Sequence, residues 1–139
     1  MAATLDSYPR RDATFRLRSG AVMIDDRYQG RTVRLDEFSS QLWLRIDGLT
    51  TVRDIAADIA RARQEPRARV EVHAAAMTGV LLTEGLLFLD REPSPQPYHL
   101  AIPTDEQDPA ETLISKRACG WVEHHRSRSG AEGAAGEES

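Results

Sequence analysis

Few residues of this chain have the types and spacing that covalent or metal chemistry needs. The single cysteine, Cys119, precedes His124 and His125 in a sparse C-terminal stretch. A zinc site built from so few ligands, with no second pair at finger-like spacing, has no frame to hold it. The same isolation leaves Cys119 without a base that would make it a nucleophile. The sequence also lacks a paired-carboxylate pattern, a glycine-rich phosphate loop and a His-Glu-x-x-His motif. It therefore predicts no catalytic residues, no metal, no cofactor and no enzymatic activity. What remains is recognition chemistry: an arginine cluster, Arg61, Arg63, Arg67 and Arg69, which reads first as a solvated surface and second as an anion-binding patch.

The chain that must position such groups has 139 residues, a formal net charge of −4, 40% hydrophobic and 29% charged residues. That length favours one small domain. No run approaches the roughly 20 apolar residues of a membrane span, and no charged-then-apolar signal opens the chain, so the expected compartment is cytoplasmic, without membrane association. One cysteine allows no intrachain disulfide. The negative balance falls entirely after Arg91, and the overall charge argues against nucleic-acid binding driven by it.

Apolar spacing divides the chain. Residues 1–13 read as an N-terminal arm, 14–91 as the domain, 92–97 as a proline-rich linker, and 98–139 as a largely disordered acidic tail with a short helix over 111–123. In the domain the first signals have period two: Phe15/Leu17, Val22/Ile24 and Val33/Leu35, with turns at Ser19-Gly20 and Asp25–Gly30, predict a three-stranded antiparallel meander. Helical spacing follows. Asp36 caps a helix burying Phe38, Leu42, Trp43 and Ile46, stopped by Asp47-Gly48. Thr51-x-x-Asp54 opens a second helix burying Val52, Ile55, Ala56 and Ile59. The run Arg61–Arg69, with Pro66, breaks the chain before a third helix carrying Val72, His73, Ala76, Met77, Val80 and Leu81, ended by Gly85. The expected fold class is α+β and winged-helix-like: a three-stranded antiparallel sheet followed by three helices, with a flexible C-terminal tail.

Several segments resemble a known family in order and spacing. They are Val33-Arg34-Leu35-Asp36 leading into Ser40-Gln41-Leu42-Trp43, the turn Leu44-Arg45-Ile46-Asp47-Gly48, the helix start Thr51-Val52-Arg53-Asp54-Ile55-Ala56, and the closing Val80-Leu81-Leu82-Thr83-Glu84-Gly85-Leu86-Leu87. Together, from Phe15 to Leu89, they resemble the PqqD-like family, the RiPP precursor-peptide recognition element. The tail beyond Pro93 has no counterpart in the minimal family domain. The resemblance implies a non-catalytic peptide chaperone that binds the leader of a ribosomally synthesised precursor and delivers the core to a modifying enzyme of radical SAM, cyclase or protease type. It implies that the leader adds as a strand to the third strand and packs on the third helix, a mode in which an edge strand offers unpaired N–H and C=O groups.

Carried onto this chain, the docking edge is Arg31, Thr32, Val33, Arg34 and Leu35, and the groove wall is His73, Ala76, Met77 and Val80. Arg34, with Arg67 and Arg69, would pair with acidic leader side chains. Ala74-Ala75-Ala76 and Gly79 are small enough for close approach, and Met77 is adaptable. Tyr98–Ile102, a strand-capable segment beyond the linker, is a candidate lid for the same edge. Two other functions fit the architecture. A winged-helix transcriptional regulator would want a basic recognition helix, yet Val72–Glu84 holds no Lys, Arg, Asn or Gln. A structural subunit would dimerise through the sheet edge. The expected partners are thus a leader peptide and a modifying enzyme, with the protein a monomer or weak homodimer and no nucleic acid bound.

Overall fold

The computed structural model describes residues 2–121 and divides the chain into two compact units, residues 1–96 and 97–139. His124, His125 and the Gly130–Ser139 stretch lie outside the described residues.

The first unit is α+β. Its strands β2 (Thr14–Arg18), β3 (Ala21–Asp26) and β4 (Arg31–Arg34) form the antiparallel meander expected from period two, in the order β2-β3-β4. Arg16 faces Met23 and Met23 faces Arg34, while Phe15, Ile24 and Val33 share the opposite face. Phe15, Val22 and Ile24 are fully buried there. The three helices follow as α2 (Glu37–Leu44), α3 (Val52–Arg63) and α4 (Arg67–Thr83). Asp36 caps α2 by accepting from the Ser39 N–H at 2.8 Å. Thr51 Oγ1 accepts from the Asp54 N–H at 3.2 Å to cap α3. The predicted inner residues Phe38, Leu42, Trp43, Ile46, Val52, Ile55, Ala56 and Ile59 are all buried.

Three features differ from the sequence reading. The first thirteen residues are no arm: a short helix α1 (Ala2–Leu5) precedes β1 (Tyr8–Arg11), which pairs antiparallel with β5 (Leu87–Asp90) in a second small sheet. Arg11 is the reason a polar-looking segment sits inside. Its guanidinium donates twice to the Trp43 carbonyl, at 2.8 and 3.2 Å, satisfying a carbonyl at the end of α2, and lies over the Phe15 and Trp43 rings. Burial pulls its pKa down to about 10, against the opposing pull of Asp47.

The expected linker is also built into this unit. The Ser94 N–H donates to the Gly48 carbonyl at 2.8 Å, Arg10 donates to the Pro95 carbonyl at 3.1 Å, and the Arg11 N–H donates to Gln96 Oε1. Finally, α4 starts at Arg67 rather than near Val72, because Gln64 takes the left-handed conformation at φ 55° and ends α3 without a glycine. Its buried face is Val70, Ala74, Thr78 and Leu81, while Val72, His73, Ala76 and Val80 are exposed.

The second unit is described by itself. Tyr98–Ala101 forms a helical turn α5, not a strand, so the lid expected of this segment lacks its pairing element. Asp108 caps α6 (Pro109–Ala118), which starts before the predicted 111–123 and ends earlier, at Ala118; residues 122 and 123 lie outside the described residues. The Gln107 amide donates to the His99 and Ile102 carbonyls, and His99 Nδ1 lies 2.7 Å from Ser115 Oγ.

Candidate functional site

The geometry of interest begins at β4. This strand pairs with β3 on one side, and among the described residues no strand pairs with its other side. Which backbone groups face that open side follows from one bond: the Leu35 N–H donates to the Val22 carbonyl at 2.9 Å. In an antiparallel ladder, residues that exchange backbone bonds with the neighbour alternate with residues whose N–H and C=O point away. Leu35 belongs to the first kind, and the unbroken register makes Val33 and Arg31 belong to it too. Thr32 and Arg34 therefore aim their backbone donors and acceptors outward, with both side chains exposed.

Ser40 finishes this ladder. Its hydroxyl accepts from the Val22 N–H at 3.1 Å and donates to the Leu35 carbonyl at 3.3 Å, joining the strand ends to α2. Ser40 is buried, and so is the Leu35 side chain. Leu35 is thus a core residue that ends the edge rather than an exposed part of it.

Two contacts fix α4 against β4. At the start of the strand, Arg31 donates to Asp26 at 2.9 Å and to Glu84, just past the end of α4. The hydrogen bonds it donates to Glu84 and then to Asp26 hold the pKa of the Arg31 guanidinium above its ordinary range. Asp26 is itself buried and accepts from the Tyr28 and Gln29 N–H groups, so the hairpin turn is locked to the same anchor. Beyond the other end of the strand, the Phe38 ring stacks on His73 with centroids 3.7 Å apart and planes 7° from parallel. Asp36 lies beside this stack; the Ser39 backbone N–H holds the pKa of its carboxyl below the usual range, and His73 adds to the pull.

These contacts run α4 antiparallel to β4. They place one helical stripe, His73, Ala76, Met77, Val80 and Glu84, on the side of the open edge, since these positions repeat at helical spacing. The stripe spans about 16 Å at 1.5 Å per residue. Between its clasped ends it is apolar and open: Ala76 is exposed, Met77 is half-buried against the core and Val80 is 51% exposed. Gly79 has open space where a Cβ would stand. Val33, partly buried, forms the strand side.

The basic residues sort differently from the sequence reading. Arg67 pairs with Glu71, Arg63 with Glu65 and Arg61 with Asp58. The cluster is largely neutralised within the chain, and Arg67 is not at liberty for a guest acid. Arg69 and Arg34 are exposed and join no ion pair of the described residues. Sequence reasoning missed Asp26, Phe38, Ser40 and Glu84 as parts of the site. Helical spacing from His73 and Val80 to Glu84 was the available signal for the last. Cys119 is exposed at the end of α6, and among the described residues no group of three His, Cys, Asp or Glu side chains could hold a metal. No helix among them is long and apolar enough to cross a membrane.

The site is thus a strand with outward-facing polar backbone beside a helix whose adjoining stripe is apolar. The chain matches the family described as coenzyme PQQ synthesis protein D (PqqD) over residues 19–87. Residues 19–87 are a PqqD-like domain. The match runs from the β2–β3 turn to β5 and so contains β4, α4 and both clasps. No curated protein and no solved structure matches the chain significantly. The PqqD-like domain thus carries the whole of the candidate site, while β1 and the residues after Leu87 lie outside the match.

Proposed function

We propose that this PqqD-like protein is a non-catalytic accessory protein in the synthesis of PQQ or a kindred peptide-derived product. It binds the leader of a ribosomally made precursor as an added strand on β4 and presents the core to a modifying enzyme, of radical SAM, cyclase or protease type. The family match supports the accessory role. The observation that carries the binding mode is the outward aim of the Thr32 and Arg34 backbone groups beside the apolar stripe of Ala76, Met77 and Val80. Strand addition uses such groups for affinity and side-chain pockets for selection.

The chemistry needed is only desolvation and hydrogen bonding. A guest residue opposite Val33 points toward α4, and its neighbours point to the outer face of the sheet. Arg69, His73, Ala76, Met77 and Val80 line the helix side, and Arg31, Thr32, Val33 and Arg34 the strand side, with Leu35 as the buried end.

The test is a binding titration of the full chain against synthetic leaders of short precursor peptides encoded beside its gene, followed by fluorescence anisotropy. Saturable binding, lost when alternate guest backbone amides are methylated, is expected. Binding that tolerates this methylation, or no binding to any neighbouring leader, contradicts the proposal.

A further inference from the structure

We infer that the β4 edge selects a guest segment in which inward apolar residues alternate with outward acidic ones, the acid being read by Arg34. This rests on the strand-addition reading above and adds the chemical class of the guest. The register decides which arginine can read charge. Arg31 shares the inner face with Val33 and is already bound to Asp26 and Glu84, so it is a clasp and not a receptor. Arg34 shares the outer face with Thr32 and is exposed, with no ion pair among the described residues.

The neighbourhood of Arg34 strengthens its field. Across β3, Met23 separates it from Arg16, and Arg18 stands further along β2 on the same face. Asp25 pairs with Arg16 at 2.9 Å, and no other carboxylate of the three strands lies on that face. The outer face is therefore net positive on a chain whose overall charge is −4. A guest residue opposite Arg34 exchanges backbone bonds with it and projects its side chain to that same face. Opposite charges on directly facing strand residues attract, and like charges repel. The same rule disfavours a second copy as occupant, because two β4 edges paired antiparallel about Val33 would bring the Arg34 side chains of both copies onto the same outer face as diagonal neighbours.

The experiment uses the full chain and three capped synthetic peptides, Gly-Ile-X-Val-X-Leu-Gly, in which X is Glu, Gln or Lys. Binding is measured by calorimetry at low salt, for the natural chain and for Arg34→Glu, with folding checked by circular dichroism. The Glu peptide is expected to bind the natural chain at least about tenfold tighter than the Lys peptide, which corresponds to about 1.4 kcal/mol. Arg34→Glu is expected to reverse that order. Equal affinity of the three peptides, or an unchanged order in Arg34→Glu, overturns the charge selection while leaving strand addition standing. Binding of none of them, together with no binding of the neighbouring leaders, overturns strand addition itself. Should Arg34→Glu fail to fold, raised salt supplies the second readout: selection by charge shrinks the Glu-over-Lys ratio toward one, and a ratio indifferent to salt contradicts it.

Discussion

Phe38 and His73 stack face to face at 3.7 Å, although one opens α2 directly after β4 and the other lies midway along α4. The Phe38 ring is 6% exposed and also lies under the Arg63 guanidinium, so three helices meet on it. Truncating Phe38→Ala removes a buried aromatic and is expected to cost about 3–5 kcal/mol. His73→Ala, at an exposed position, is expected to cost no more than about 1.5 kcal/mol, the value of the ring pair itself. Urea unfolding of both variants checks this; equal costs would mean that His73 carries structure beyond the stack.

Proline scanning of β4 separates the two kinds of residue in the strand. Thr32→Pro removes an N–H that faces outward, a position where an edge strand tolerates proline. We expect peptide binding to fall at least about tenfold while the melting temperature stays near that of the natural chain. Val33→Pro removes a donor from the β3–β4 ladder and is expected to destabilise the fold, with a clearly lowered melting temperature. If Thr32→Pro unfolds the protein and Val33→Pro does not, the assignment of outward residues is reversed.

The Arg31 clasp predicts an asymmetry between its two acids. Glu84 and Arg31 are both well exposed, so Glu84→Gln is expected to change stability by less than about 1 kcal/mol. Asp26 is 3% exposed and bonded to two backbone N–H groups as well as Arg31, so Asp26→Ala leaves three donors without their acceptor and is expected to cost about 1–3 kcal/mol. Thermal unfolding in low and high salt distinguishes them, and a Glu84 effect as large as the Asp26 effect would contradict this reading of the clasp.

Gly48 tests whether the segment 94–96 belongs to the domain. Its φ of +80° disfavours any side chain, and the Ser94 carbonyl occupies the place a Cβ would take. Gly48→Ala is expected to destabilise by more than about 1 kcal/mol. Deleting everything after Gln96 is expected to leave the first unit folded, whereas deletion from Pro93 removes the bonds to Gly48, Arg10 and Arg11 and lowers its melting temperature. Identical melting of the two truncations would show that the segment contributes nothing.

Much of this was legible from residue spacing. Phe15, Val22, Ile24 and Val33 mark the inner face of the meander, and Val52, Ile55, Ala56 and Ile59 mark that of α3, because apolar side chains at regular intervals leave only one way to hide them. β1 was hidden by its chemistry: Tyr8-Pro9-Arg10-Arg11 looks polar, and only the Trp43 carbonyl and two aromatic rings make Arg11 an inside residue. The buried face of α4 was not legible, because its buried positions include Ala74 and Thr78, whose types do not announce burial, whereas those of the exposed Val72 and Val80 do. The exposed valines bear on the site itself, since an apolar residue left outside a core is what a guest would cover. The clasps were illegible for another reason. Arg31 and Glu84 are far apart in sequence, and polar pairing across such a distance leaves no periodic trace.

Amide hydrogen exchange of the full chain, free and saturated with the tightest-binding peptide of the panel above, tests the added strand most directly. Thr32 and Arg34 amides are expected to exchange rapidly in the free protein and to gain protection on binding, while Val33 and Leu35, already bonded to β3, change little. Protection that appears at Val33 and Leu35 instead, or that leaves Thr32 and Arg34 as fast as before, would contradict a guest strand on β4.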